Sequence, residues 1–245
     1  MNVFAAELIG TLILLLLGNG VVANVLLART KGHGAGLIAI TLGWATAVFA
    51  GVLVAGPVSG AHLNPAVTVG LAIAGKFAWT DVPMYILAQC LGAAAGAALV
   101  WVMYHGHFSA TEDRDTKLAT FCTSPAIRNT GANLLSEIIG TFVLVYAALH
   151  ITDPAFSAAG MSEVKMGLGT VGALPIALIV LAIGLCLGGT TGYAINPARD
   201  FMPRLMHAVL PVPDKRDSDW GYAWIPVAGP VAGAAVAAVL TLLLG

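Results

Sequence analysis

The tripeptide Asn-Pro-Ala occurs twice in this chain, at Asn64-Pro65-Ala66 and at Asn196-Pro197-Ala198. Asn is a strong helix N-cap, and Pro suits the first helical position, where a missing N–H costs nothing. Each copy therefore predicts the start of a helix. Helix N-termini carry partial positive charge and unpaired N–H donors. Two such ends aimed at one centre make a site for a neutral, hydrogen-bonding guest and repel cations. Each Asn would keep its side-chain oxygen on its own helix and offer amide N–H groups to the guest. Arg199 follows the second copy directly, in apolar sequence where a charge is expensive and marks function. Its planar fork of donors suits a row of hydroxyls. The plainer alternatives are caps that touch no guest and an Arg that snorkels to the membrane surface.

Glu7 and Glu137 are the acids set deepest in apolar sequence. They could couple transport to protons, or each could accept backbone N–H groups and support a loop. The stretches Ser59–Leu63 and Thr190–Ile195 are Gly-bearing and precede the two short helices. They read as extended segments whose carbonyls, at Gly60, Ala61 and His62 and at Gly192, Tyr193 and Ala194, face a water-filled cavity. His62 could switch with pH or be a satisfied structural histidine. Cys90, Cys122 and Cys186 have no paired or metal-ligand spacing. No disulfide, metal or other cofactor is expected, and Cys90 and Cys186 read as inert core. No nucleophile–base pair or phosphate loop is present, so the chain is not expected to be an enzyme.

These residues need a membrane scaffold. The chain is 58% hydrophobic and only 9% charged, where soluble domains carry about 25% charge. Its net charge of −1 gives no basis for binding nucleic acid. Six stretches reach the roughly 20 apolar residues of a span. They cover about 3–28, 36–56, 83–104, 132–152, 171–189 and 222–244. Two shorter ones, near 64–75 and 196–207, open at the Asn-Pro-Ala copies. Charge runs between the spans, at Glu112–Asp115 and Asp214–Asp219, read as solvated loops without chemistry.

The halves repeat. Glu7-Leu-Ile-Gly10-Thr11 matches Glu137-Ile-Ile-Gly140-Thr141, and the Gly92/Gly96 pair matches Gly229/Gly233. Residues four apart and small let membrane helices approach closely. Three spans per half is odd, so the second half enters inverted, and the site falls at the midplane between the repeats. The expected fold is an all-α membrane protein, with six transmembrane helices and two re-entrant half-helices. A single channel domain covers 1–245, its halves 1–105 and 132–245 joined by a loop at 106–131.

The strings SGAHLNPAV and GYAINPARDFMPR, with the repeat around them, resemble the aquaporin superfamily over essentially the whole chain, and within it the glycerol facilitators. The resemblance implies a homotetramer with one pore per subunit. That pore would pass glycerol, other small neutral solutes and water, and exclude protons and ions. A water-selective channel and a proton-coupled transporter are the alternatives. The resemblance also implies a filter of Trp44, Gly184, Tyr193 and Arg199. In it two aromatic faces oppose the Arg, and Gly184 leaves room for a carbon backbone. Several bacterial members carry Phe where Tyr193 stands. Asp200, directly after the Arg, marks the glycerol branch and would steady the outer loop through Arg204. Both termini would be cytoplasmic. The loops then outside carry Arg29, Lys31, Arg114, Lys117, Arg128, Lys215 and Arg216, against Lys76 and Lys165 inside. The positive-inside rule alone would invert the protein.

Overall fold

The computed structural model describes residues 1–152, 155–158, 161–165 and 167–244, with side chains over 1–152 and 167–244. Among the described residues, six helices are long and apolar enough to cross a membrane. They are α1 (Val3–Leu26), α2 (Gly36–Ser59), α4 (Val82–Ala110), α6 (Thr130–Leu149), α7 (Leu174–Leu187, entered through a 3-10 turn at Gly169–Ala173) and α9 (Ile225–Leu244). The half-helices are α3 (Pro65–Ile73) and α8 (Pro197–Val209). Asparagines start several of them. Asn2 accepts from Ala5 N at 2.8 Å on α1, and Asn129 from Ala132 N at 3.0 Å on α6.

The joining segment is more structured than a loop over 106–131. α4 continues to Ala110, and a short helix α5 (Arg114–Ala119) follows. Asp113 caps α5 by accepting from Asp115 N and from Thr116 N and Oγ1. Those bonds, Thr116 Oγ1 foremost, hold the Asp113 carboxyl below the ordinary carboxylate range. The linker between α6 and α7 carries a two-stranded antiparallel hairpin, β1 (Ala155–Ala158) and β2 (Met161–Lys165), absent from the sequence reading. The Lys165 side chain lies outside the described residues.

In the first half α1 packs between α2 and α4, and in the second α6 packs between α7 and α9. The closest approaches are backbone to backbone. A Cβ on Gly92 would stand 2.2 Å from Leu8 O and 3.0 Å from Leu12 N. A Cβ on Gly233 would stand 2.3 Å from Ile138 O and 3.0 Å from Phe142 N. These two glycines therefore occupy the same place in the two halves. The sequence match of Gly92 with Gly229 is one turn out of step. Gly229 instead gives α9 room against the Glu137 Cβ, which a Cβ there would meet at 2.6 Å.

Where the halves meet, Leu14, Trp44, Leu63, Leu144, Ile183, Tyr193 and Ile195 form one buried apolar cluster. It surrounds the convergence of α3 and α8.

A methyl at position 233 would strike a carbonyl that cannot move without shifting α6. Gly233→Ala is expected to destabilise the protein by about 1–3 kcal/mol through overpacking. Gly20→Ala, where an added Cβ meets nothing within 4 Å, should be neutral or slightly stabilising. Thermal unfolding of the two variants in detergent micelles checks the pair.

Candidate functional site

Each half-helix is entered through a loop that the backbone would not adopt unaided. Gly60 and Gly192 have φ of 81° and 79°. Ala61 and Leu63 follow at 52° each, and Tyr193 and Ile195 at 38° and 43°. Left-handed non-glycine residues cost about 1–3 kcal/mol each and persist only when their surroundings demand it. A buried carboxylate makes that demand in both halves. Glu7 Oε1 accepts from Ser59 Oγ at 2.7 Å and His62 N at 2.9 Å, and its Oε2 from Leu63 N at 2.8 Å and Gln89 Nε2 at 2.8 Å. Glu137 Oε1 accepts from Thr191 Oγ1 at 2.6 Å and Ala194 N at 3.0 Å, and its Oε2 from Ile195 N at 2.8 Å. Both acids are fully buried.

Asn64 caps α3 by accepting from Ala66 N at 2.9 Å. Asn196 caps α8 by accepting from Ala198 N at 3.0 Å and Arg199 N at 3.2 Å. Pro65 and Pro197 take the first helical turn. The amide nitrogens do something the sequence did not reveal. Asn64 Nδ2 donates to Ile195 O at 2.8 Å, and Asn196 Nδ2 to Leu63 O at 2.9 Å. Each half-helix thus ties the loop of the other. An amide nitrogen has two hydrogens, so one on each Asn stays available to a guest.

A channel-like cavity of about 330 Å³ passes this point. Trp44, Tyr193 and Arg199 line one end, Asn64 and Asn196 the middle, and Val67, Leu71 and Ile176 the other end. Gly60, Ala61, His62 and Ala194 also face it. Arg199 lies over the Trp44 ring, 4.2 Å from the centroid, and is only 8% exposed. Its side chain has no hydrogen-bond partner among the described residues, so the fork is open to the cavity. His62 Nδ1 lies 3.1 Å from Thr68 Oγ1, and its ring packs against Phe77 and Tyr85.

Two residues expected on the lining, Gly184 and Gly192, stand behind it, while Asp200 was expected to support the outer loop rather than face the solute. Gly184 does not line the cavity, because a Cβ there would meet Thr41 Cγ2 at 2.4 Å and Tyr193 Cζ at 2.8 Å. The room it leaves is filled by the Tyr193 ring. Gly192 lies behind the lining, with Thr123 Cγ2 3.3 Å from where its Cβ would be. Asp200 is fully buried away from the cavity. Its Oδ2 accepts from Thr123 N and Oγ1, both at 2.7 Å, and its Oδ1 from Arg204 Nε and Nη2 at 3.0 and 2.7 Å.

The Glu112–Asp115 run is exposed, as expected, but the Asp214–Asp219 run is not simply solvated. Buried Lys117 donates to Pro213 O at 2.6 Å. Lys215 closes the C-terminus of α8 by donating to the carbonyls of His207, Ala208 and Leu210. Arg128 pairs with Asp219, and Arg216 with Asp115. The bonds of Lys117, Arg128 and Arg216 strap the 111–129 segment to the 210–220 segment. The three cysteines are free, but Cys186 is exposed and Cys90 only half-buried, so neither is sealed core. Burial pushes the Cys122 thiol up, which keeps it protonated.

The family model described as major intrinsic protein matches residues 1–241. The chain belongs to the major intrinsic protein family. It is 53% identical to the "Probable glycerol uptake facilitator protein" of Thermotoga maritima over 98% of both chains. It is 52% identical to the "Glycerol uptake facilitator protein" of Streptococcus pneumoniae, again over 98% of both. Among solved structures it resembles the aquaglyceroporin of Plasmodium falciparum with a TM-score of 0.82, at 33% identity, over 97% of this chain and 93% of that one. The fold of six apolar spans and two half-helices is that of this family.

Several residues that build the site in this major intrinsic protein escaped the sequence reading. Ser59 and Thr191 stand at the same distance before each Asn, so the repeat carried that signal. Gln89, a lone amide in an apolar span, carried a weaker one. Gly18 and Gly188 carried none: they clear space for the Trp44 and Tyr193 rings, whose atoms an added Cβ would meet at 2.2 and 2.5 Å.

Glu137→Gln keeps the shape but sets an NH2 group against N–H donors. It is expected to cost about 3 kcal/mol, since breaking a buried charge network leaves its partners unpaired, and to lose transport with it. Thermal unfolding and flux measured on the same preparation check this.

Proposed function

We propose that this protein is a passive channel for glycerol, other small uncharged solutes and water, and that the whole chain works as one channel unit. One observation carries the reading: Trp44 and Tyr193 form an apolar corner facing the open donors of Arg199, at the end of a cavity whose middle is set by two asparagines. A polyol has a carbon edge and a hydroxyl edge. The corner takes the first, and Arg199, the loop carbonyls and the free asparagine hydrogens take the second. A file of acceptors and donors replaces water around the solute without holding it, as conduction requires.

At the middle, a hydroxyl or water accepts from Asn64 and Asn196 and must turn its own hydrogens away along the channel. That orientation interrupts a proton wire, while the ends of α3 and α8 and the Arg199 charge repel cations. The transporter alternative is disfavoured by the same geometry. Glu7 and Glu137, the candidate coupling acids, have both oxygens committed to loop donors. A water-selective filter would want a bulky polar group in place of the apolar corner. In this reading four copies assemble in the cell membrane, and both termini face the cytoplasm. A protease-sensitive tag at the C-terminus should be protected in intact cells and cleaved after permeabilisation.

Liposomes carrying the protein should equilibrate glycerol far faster than empty ones in light-scattering assays, with water passing and no comparable proton current. Accumulation of glycerol against its gradient would instead make the protein a transporter. Tyr193→Phe should leave glycerol flux unchanged, because the hydroxyl is buried beside Gly184 and Thr41 and has no well-aligned hydrogen bond to lose. Trp44→Ala should admit longer polyols and remove a cation–π contact of about 1–2 kcal/mol from Arg199.

A further inference from the structure

Of the three residues that line the Arg199 end of the cavity, Trp44 and Arg199 stand on helices, whereas Tyr193 hangs on a loop in left-handed backbone. Its ring must be located by what lies behind it. Gly184 on α7 and Gly188 at its C-cap, four residues apart, form a notch there. A Cβ on Gly188 would meet Tyr193 Cδ1 at 2.5 Å, and one on Gly184 would meet Tyr193 Cζ at 2.8 Å and Oη at 3.0 Å. The ring therefore lies on the glycine notch, with its hydroxyl end beside Gly184. The same Gly184 Cβ would meet Thr41 Cγ2 at 2.4 Å, so the methyl of Thr41, on α2, closes the notch at the hydroxyl end. Thr41 is fully buried and does not line the cavity. Its Oγ1 donates to Leu37 O at 2.8 Å, which fixes the rotamer that holds the methyl in place. Tyr193 Oη lies beside Thr41 but forms no well-aligned hydrogen bond with any described residue, so the contact is chiefly one of shape.

We propose that Thr41 is a positioning residue that sets the size cut-off of this channel by acting as the stop behind the Tyr193 ring. The inference rests on the channel reading above. With the methyl gone, the ring settles deeper into the notch and the constriction widens. With a larger side chain, the ring is pushed toward Trp44 and Arg199 and the constriction narrows. A methyl-sized change in a fitted pocket alters discrimination about tenfold.

The test is the erythritol-to-glycerol permeability ratio of protein in liposomes, with a water permeability measured on each preparation. Thr41→Ser and Thr41→Ala should both raise the ratio, by about tenfold. Thr41→Leu should lower glycerol flux while sparing water. Thr41→Val keeps the methyl and loses only the hydroxyl, so it should leave the ratio at the wild-type value. In a Tyr193→Ala background the Thr41 substitutions should no longer change the ratio, because the ring they act through is absent. A general loss of folding would lower all three fluxes together and leave the ratio where it was, and Thr41→Ser, the mildest change, would then decide. An unchanged ratio in Thr41→Ser, a shift in Thr41→Val equal to that in Thr41→Ala, or an effect that persists without the Tyr193 ring overturns the proposal. If the wild-type protein itself passes no glycerol, the channel reading has failed; if it does and the ratio does not respond, only the role of Thr41 has.

Discussion

Two buried carboxylates hold the middle of this protein in shape. Without Glu7 and Glu137, the backbone on either side of the asparagines has no reason to stay left-handed, and its inward N–H groups have no acceptor. A buried charge is costly by itself, but here each acid collects two main-chain donors and at least one hydroxyl, the arrangement that makes burial tolerable. Everything downstream inherits that geometry. With their N–H groups turned to the acids, the loops present Gly60, Ala61, His62, Tyr193 and Ala194 to the cavity, and α3 and α8 start where the loops end.

The two halves solve one problem with different residues. In the first, Gln89 bridges Glu7 and Thr68, so the support comes from the neighbouring span. In the second, the residue corresponding to Thr68 is Asp200, which reaches Thr123 and Arg204 and so couples the start of α8 to the 111–129 segment. Arg204 completes the tie by donating to Thr123 O and Ser218 O. One mouth of the cavity is thereby braced by a buried amide and the other by a buried ion pair. The shared part is the backbone: Gly92 and Gly233 make the same contact with the same two positions of the preceding repeat helix.

Much of this was legible in the residues. The spans, the half-helix starts and the inverted repeat follow from apolar run length, from Asn-Pro at a cap and from an odd span count, all local signals. The support role open to Glu7 and Glu137 was legible because a repeated acid in apolar sequence needs donors. What escaped depends on distances between elements. Gly184 looked like space for a solute because sequence cannot say which ring will occupy a gap. Gly192 looked like lining because a loop's inner and outer edges have the same composition. The reciprocal bonds of Asn64 and Asn196 require knowing that two segments from opposite halves touch. Asp219 looked solvated because charge runs usually are, whereas here a second loop folds back onto it.

The exchange of bonds between Asn64 and Asn196 has a consequence for how the molecule is made. The bond from Asn64 to Ile195 links positions 131 residues apart. At synthesis rates of about 5–20 residues per second, the first re-entrant segment precedes its partner by on the order of ten seconds. Throughout that interval the Leu63 carbonyl and the Asn64 amide have no counterpart, and nothing closes the space that α8 will fill. The first three spans are thus a half-built structure with an open polar face in the bilayer, finished only when the last part of the chain arrives.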